Sequence, residues 1–226
     1  MNNEVLNDEF LKSIDSNYEF SNKPIRRLKK SQQPGEIKLQ LENLKKQIAE
    51  IDACDLKNHA NQLVFSDGNF RSKIMLVGEG PGQKEDEIGK PFMGDAGKLL
   101  NKMLKAIQLD RNKTYITNVV NFRPPENRKP DPSEIQRYKY FLMEHISIIE
   151  PKILVLMGST AMEALFGSKM KITKERGAWK ELIIKNRTYK TIITFHPAYL
   201  LRQPEQKKLA WIDLKLIREK MKQLNF

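Results

Sequence analysis

The sequence predicts an α/β fold: a three-layer α/β/α domain around a central four-stranded, mostly parallel sheet. Two observations carry this. Four compact aliphatic runs, KIMLVGE (73–79), TYITNVV (114–120), KILVLMG (152–158) and KTIITFH (190–196), are suited to burial on both faces. Helix-period stretches separate most of them, and strand alternating with helix implies a parallel sheet covered on both sides.

Taken in order, residues 1–35 read as a separate arm. SNKPIRRLKKSQQPG is polar and basic without a sustained apolar period, the mark of a disordered segment, and NDEFLKSI is the one candidate for a short docking helix. The domain proper spans 36–226. Ile37, Leu41, Leu44, Ile48 and Ile51 recur at four- and three-residue steps, one apolar helix face packing on the chain's own core. Further helices are read at 95–107, at 132–149, from Ser159 and over the C-terminal PEQKKLAWIDLKLIREKMKQL.

At 226 residues, with 39% apolar and 30% charged residues, the chain is sized for one domain with a sizeable core. No apolar stretch approaches the ~20 residues of a membrane helix, and MNNEVLNDEF lacks a signal-peptide pattern, so a cytoplasmic protein without a membrane partner is expected. The formal charge of +12 favours a polyanionic partner, a solvated lysine-rich surface being the plain alternative. A single cysteine, Cys54, excludes an internal disulfide and any all-thiolate metal site.

In parallel sheets, sites form beyond the carboxyl ends of the strands. There the sequence places GEGPGQKEDEIGKPF, then Asn118 leading into RPPENRKPDP, then GST, then HPAYLLRQP. The glycine turn is no phosphate cradle. Its spacing is Gly-x-Gly-x-Gly, Pro81 removes an N–H donor, no Walker lysine follows, and Glu79 puts a carboxylate where phosphate would sit.

Three motifs in this order, VGEGPGQKEDEIGKPFMGDAGKLL, YITNVVNFRPPENRKP and TFHPAYLLR, resemble family 4 uracil-DNA glycosylase, across roughly residues 48–217. The resemblance implies an enzyme of DNA base excision repair that hydrolyses the N-glycosidic bond of uracil in DNA. It would release free uracil, leave an abasic site, and act as a monomer. It implies His196 as the donor that stabilises charge on uracil O2. It implies Asn118 as a bidentate partner for uracil O4 and N3–H, and Phe92 as the stacking surface for a base turned out of the duplex.

Glu79 would polarise the attacking water or stabilise the oxocarbenium-like sugar. Glu85 would crowd the position of a thymine methyl, and backbone near Gly80 would bond the base. Asp86 and Glu87 read as solvated or helix-start charges. Arg123, Arg128 and Lys129 are candidate phosphate contacts on a proline scaffold. Tyr199, Leu200, Leu201 and Arg202 are candidate DNA contacts, with one leucine expected to wedge into the stack and the other to face the core.

The chain departs from the family at the iron–sulfur ligands. The four cysteine positions fall at Ile51, Cys54, Phe122 and Tyr138, so no 4Fe-4S cluster and no other cofactor is expected; Ile51, Phe122 and Tyr138 would pack in its place. The alternative to an enzyme is a catalytically degenerate module of the same fold that binds uracil or single-stranded DNA.

Overall fold

The computed structural model describes residues 33–226. The expected arm and its docking helix lie outside these residues, apart from Gln33 to Gly35, of which Pro34 and Gly35 already open the first helix. Six strands form one sheet: β1 (Asp67–Gly68), β2 (Ile74–Gly78), β3 (Tyr115–Asn118), β4 (Ile153–Met157), β5 (Trp179–Ile184) and β6 (Arg187–Thr194). Their order is β1-β3-β2-β4-β6-β5.

The four expected strands are the parallel centre, β3-β2-β4-β6, and pair throughout in one direction. The sheet of four is therefore corrected to six, because an antiparallel strand closes each edge. β5 joins β6 through Lys185 and Asn186, both left-handed at φ 46 and 61, the two-residue turn whose twist suits a hairpin. Its side chains alternate, Leu182 and Ile184 inward and Ile183 outward, so it lacks the continuous apolar run of a central strand.

Nine helices are described: α1 (Pro34–Ala49), α2 (Asp55–His59), α3 (Gln83–Ile88), α4 (Asp95–Ala106), α5 (Pro132–Ile149), α6 (Ser159–Phe166), α7 (Ile172–Glu175), α8 (Pro197–Arg202) and α9 (Lys207–Gln223). Alternate strand residues feed two cores. Met75, Val77, Leu154 and Leu156 meet α1, α5 and α6 on one face. Ile74, Leu76, Ile153 and Val155 meet α4 and α9 on the other. This is the three-layer arrangement. α1 buries Leu41, Leu44 and Ile48, as its period required. α5 starts on a capping box, with Asp131 accepting from the Glu134 N–H and Pro132 at the first helical position.

The chain leaves β2 toward β3 and leaves β4 toward β6, on opposite sides. A crevice opens where such connections diverge, here beyond the carboxyl ends of β2 and β4. No helix among the described residues is long and apolar enough to cross a membrane.

Candidate active site

The crevice is a cavity of about 590 Å³. Glu79, Gly80, Glu85, Phe92, Asn118 and His196 all line it, so segments widely separated in sequence converge on one volume.

Asn118 ends β3 and is 3% exposed. Its side-chain oxygen is buried and has no hydrogen-bond partner among the described residues. A buried acceptor left unpaired costs roughly 1–3 kcal/mol, so the site is built for a donor to arrive. Gly78, the last residue of β2, makes room for this group. A Cβ there would lie 2.4 Å from Asn118 Oδ1 and 2.5 Å from Phe92 Cζ.

His196 follows β6 and caps α8. Its Nδ1 accepts from the Ala198 N–H at 3.2 Å, which leaves the imidazole proton on Nε2. Burial, reinforced by the positive charge of Arg202 and opposed by Glu85, pushes its pKa down to about 4. The ring is thus a neutral donor at physiological pH. Phe92 stands beside it, ring centroids 5.4 Å apart and planes tilted by 30°.

The acidic turn divides its charges. The Thr160 hydroxyl, on the first turn of α6, donates to Glu79 Oε2 across the crevice. Backbone bonds from Val119 N to Gly78 O (3.0 Å) and from Val120 N to Glu79 O (3.2 Å) carry the β2–β3 pairing past the strands and hold Glu79 at the edge.

Glu85 does more than the crowding expected of it. It lines the cavity, but Oε1 accepts from Met93 N (2.6 Å) and Gly94 N (2.8 Å), and Oε2 from Gly82 N (3.0 Å). The carboxylate closes the turn on itself and has little left to offer a base. Of the two readings of Asp86, helix-start holds and solvated is corrected. It is 1% exposed rather than solvated, and it fastens the 61–62 segment by accepting from Asn61 N, Asn61 Nδ2 and Gln62 N. Glu87 is a surface charge paired with Lys84.

Gly80 sits against Val120, whose Cγ2 would lie 2.7 Å from an added Cβ. Of the proposed DNA contacts, Arg128, Tyr199 and Arg202 line the cavity. Arg128 is bound by both Glu134 oxygens and Lys129 by Glu163, while the Arg123 Nε donates to Asn127. Exposed ion pairs of this kind are worth about 0–1 kcal/mol, so a phosphate can displace them. The two leucines divide as expected, one inward and one outward: Leu200 is 1% exposed, inside the core, and so is corrected as a DNA contact, whereas Leu201 on the same short helix is 43% exposed. Tyr199 is half-buried, its ring 5.0 Å from that of Phe195.

At the family's cluster positions the donor set does not fit an iron–sulfur cluster. Cys54 is the only thiol, and its sulfur lies 3.4 Å from the Tyr138 hydroxyl. Tyr138 is fully buried, Phe122 is buried in the same core, and Ile51 packs against it. The Arg137 guanidinium donates to the Asp52 and Ala53 carbonyls, both at 2.6 Å.

Among known proteins, the family model of the uracil DNA glycosylase superfamily matches residues 65–215. The chain belongs to that superfamily. It is 40% identical over 163 residues to a type-4 uracil-DNA glycosylase of Thermotoga maritima, covering 72% of this chain and 83% of the relative. It is 41% identical over 187 residues to a type-4 uracil-DNA glycosylase of Sulfurisphaera tokodaii, covering 79% and 84%. A DNA polymerase of Bacillus phage SP01 is 33% identical over 152 residues, which make up 16% of its length. All of the cavity groups named above fall within the matched stretch.

Sequence reasoning missed Thr160, although GST after β4 is a visible strand-end signal for it.

His145 is the second imidazole with a lowered pKa. It stacks on Phe65, meets the Tyr115 hydroxyl at 2.7 Å, and burial lowers its pKa to about 3. With folded values near 3 and 4 against an ordinary value near 6.5, the unfolded chain binds protons that the folded chain refuses. The contribution of these two histidines to stability is therefore full above pH 6.5 and is lost as the pH drops toward 4. Urea unfolding at pH 7, 5.5 and 4.5 should give steadily lower midpoints, and His145→Gln should flatten the slope.

Proposed function

We propose that the chain is a uracil-DNA glycosylase that hydrolyses the N-glycosidic bond of a flipped-out deoxyuridine in DNA. The observation that carries this reading is the unpartnered, buried oxygen of Asn118. Uracil brings an N3–H to that oxygen and an O4 to the amide nitrogen. Cytosine carries an acceptor at N3 and an amino group at C4, the reverse pattern, and would leave both groups mismatched.

The reaction follows from the remaining groups. The bond between C1′ and uracil N1 breaks, and its electron pair moves onto the base, spreading to O2. The neutral Nε2–H of His196 donates to O2, stabilising charge where it develops. The sugar becomes cationic. The Glu79 carboxylate, oriented by Thr160, would favour that cation or take the proton of the water that adds to C1′. Phe92 provides the face on which the base lies, worth about 1–3 kcal/mol.

The net charge of +12 supports a polyanionic substrate held by counterion release, with Arg128, Arg202 and the exposed Leu201 at the rim. One chain supplies every group this reading uses, and the proposal takes it to act as a monomer. A silent uracil-binding module fits less well, because it has no use for a carboxylate held beside the sugar position.

We also propose that the chain carries no iron–sulfur cluster. Tyr138, Phe122 and Ile51, together with the clamp of Arg137 on the 52–53 carbonyls, take over the joining of that segment to α5.

The purified chain should release uracil from a uracil-containing oligonucleotide, read as strand breakage after alkali. His196→Ala should slow the single-turnover rate about 10²–10³-fold with little change in melting temperature. Intact strands from the unaltered chain would defeat the enzymatic reading, and an unfolded variant would return His196 to a structural role. Iron analysis of the pure protein should find well below one iron per chain; stoichiometric iron with sulfide-to-iron absorbance would refute the cluster-free reading.

A further inference from the structure

We infer that Arg111 is a positioning residue for the stacking ring of Phe92 and acts through the backbone that carries the ring. This rests on the reading of Phe92 as the surface for the flipped base.

Phe92 is held in the left-handed region at φ 57, where side-chain-bearing residues seldom sit, at a cost of order 1–3 kcal/mol. Such a conformation persists only where its surroundings enforce it. The guanidinium of Arg111 does so. It donates to the Phe92 carbonyl and, at 3.1 Å, to the Pro91 carbonyl, while Nε donates to Asn101 Oδ1 on α4 at 3.1 Å. Asp67, set by its pairing opposite Ile116 at the sheet edge, completes the shell with an ion pair to the same guanidinium.

The opposite side of the peptide is equally constrained. A Cβ on Gly97 would stand 1.8 Å from the Phe92 oxygen, so the first turn of α4 presses directly on that carbonyl. Held between Gly97 and Arg111, the backbone has no freedom to relax φ, and the ring is delivered over Gly78 and beside His196.

Arg111 does not line the cavity, so its influence on the base must pass through Phe92. A planar fork of fixed donors suits two successive carbonyls and a carboxylate at once, a task a lysine ammonium performs only in part.

A double-mutant cycle on the full chain tests this, reading single-turnover kcat/KM on a uracil oligonucleotide and inhibition by free uracil, well below the measured melting temperatures. Phe92→Ala and Arg111→Gln should each lower kcat/KM, the latter by about 10–100-fold. Arg111→Lys should recover part of the loss. Phe92→Ala/Arg111→Gln should be no more than about twofold slower than Phe92→Ala alone.

Losses that multiply in the double variant, or a wild-type rate for Arg111→Gln, overturn the positioning role while leaving Phe92 its own. A wild-type rate for Phe92→Ala overturns the stacking reading instead, and the inference with it. Should Arg111→Gln fail to fold, Asp67→Asn, which keeps the shape and removes the charge, carries the same cycle against Phe92→Ala with the same opposing outcomes.

Discussion

The site depends on an absence, the missing side chain of Gly78. Asn118 Oδ1 and the tip of the Phe92 ring both occupy the space that a Cβ at this position would claim. On the proposed function, one group reads the edge of a base and the other supports its face. They can serve the same base only because the strand between them ends without a side chain. Alanine here would drive into a buried amide on one side and an aromatic ring on the other. The parallel pairing of Gly78 with Asn118 makes the juxtaposition a consequence of sheet register rather than of loop conformation.

Around that floor, charge is sorted by position. Two carboxylates of the acidic turn are consumed in building it: Glu85 holds the backbone of its own loop, and Asp86 fastens the 61–62 segment. Glu79 is directed across the crevice by Thr160. Opposite it stands an imidazole kept neutral by burial, with its proton placed on Nε2 by the α8 backbone. A neutral donor suits a leaving group that is neutral before reaction and anionic after it, because its hydrogen bond strengthens as charge develops.

The centre of the fold was legible because its physics is local. Strands buried on both faces must be continuously apolar, and the four such runs are the four central strands. β1 is two residues long and β5 alternates, so neither carries that signature. The short helices α3 and α8 follow from caps and tertiary contacts, which explains why Leu200 and Leu201 could not be told apart until their helix was placed. Glu79, Asn118 and His196 were legible because chemistry gathers at strand ends. Thr160 also sits at a strand end, in the GST after β4, but its partner Glu79 lies 81 residues away, and Arg111 reaches the Phe92 carbonyl across 19 residues, so neither contact is visible locally.

The claim that the buried oxygen of Asn118 awaits the N3–H of uracil is open to one direct measurement, competitive inhibition of the glycosylase reaction by free bases. Uracil should inhibit, and 3-methyluracil, identical except that a methyl replaces the N3 proton, should bind at least about tenfold more weakly. Equal inhibition by the two bases would contradict the account.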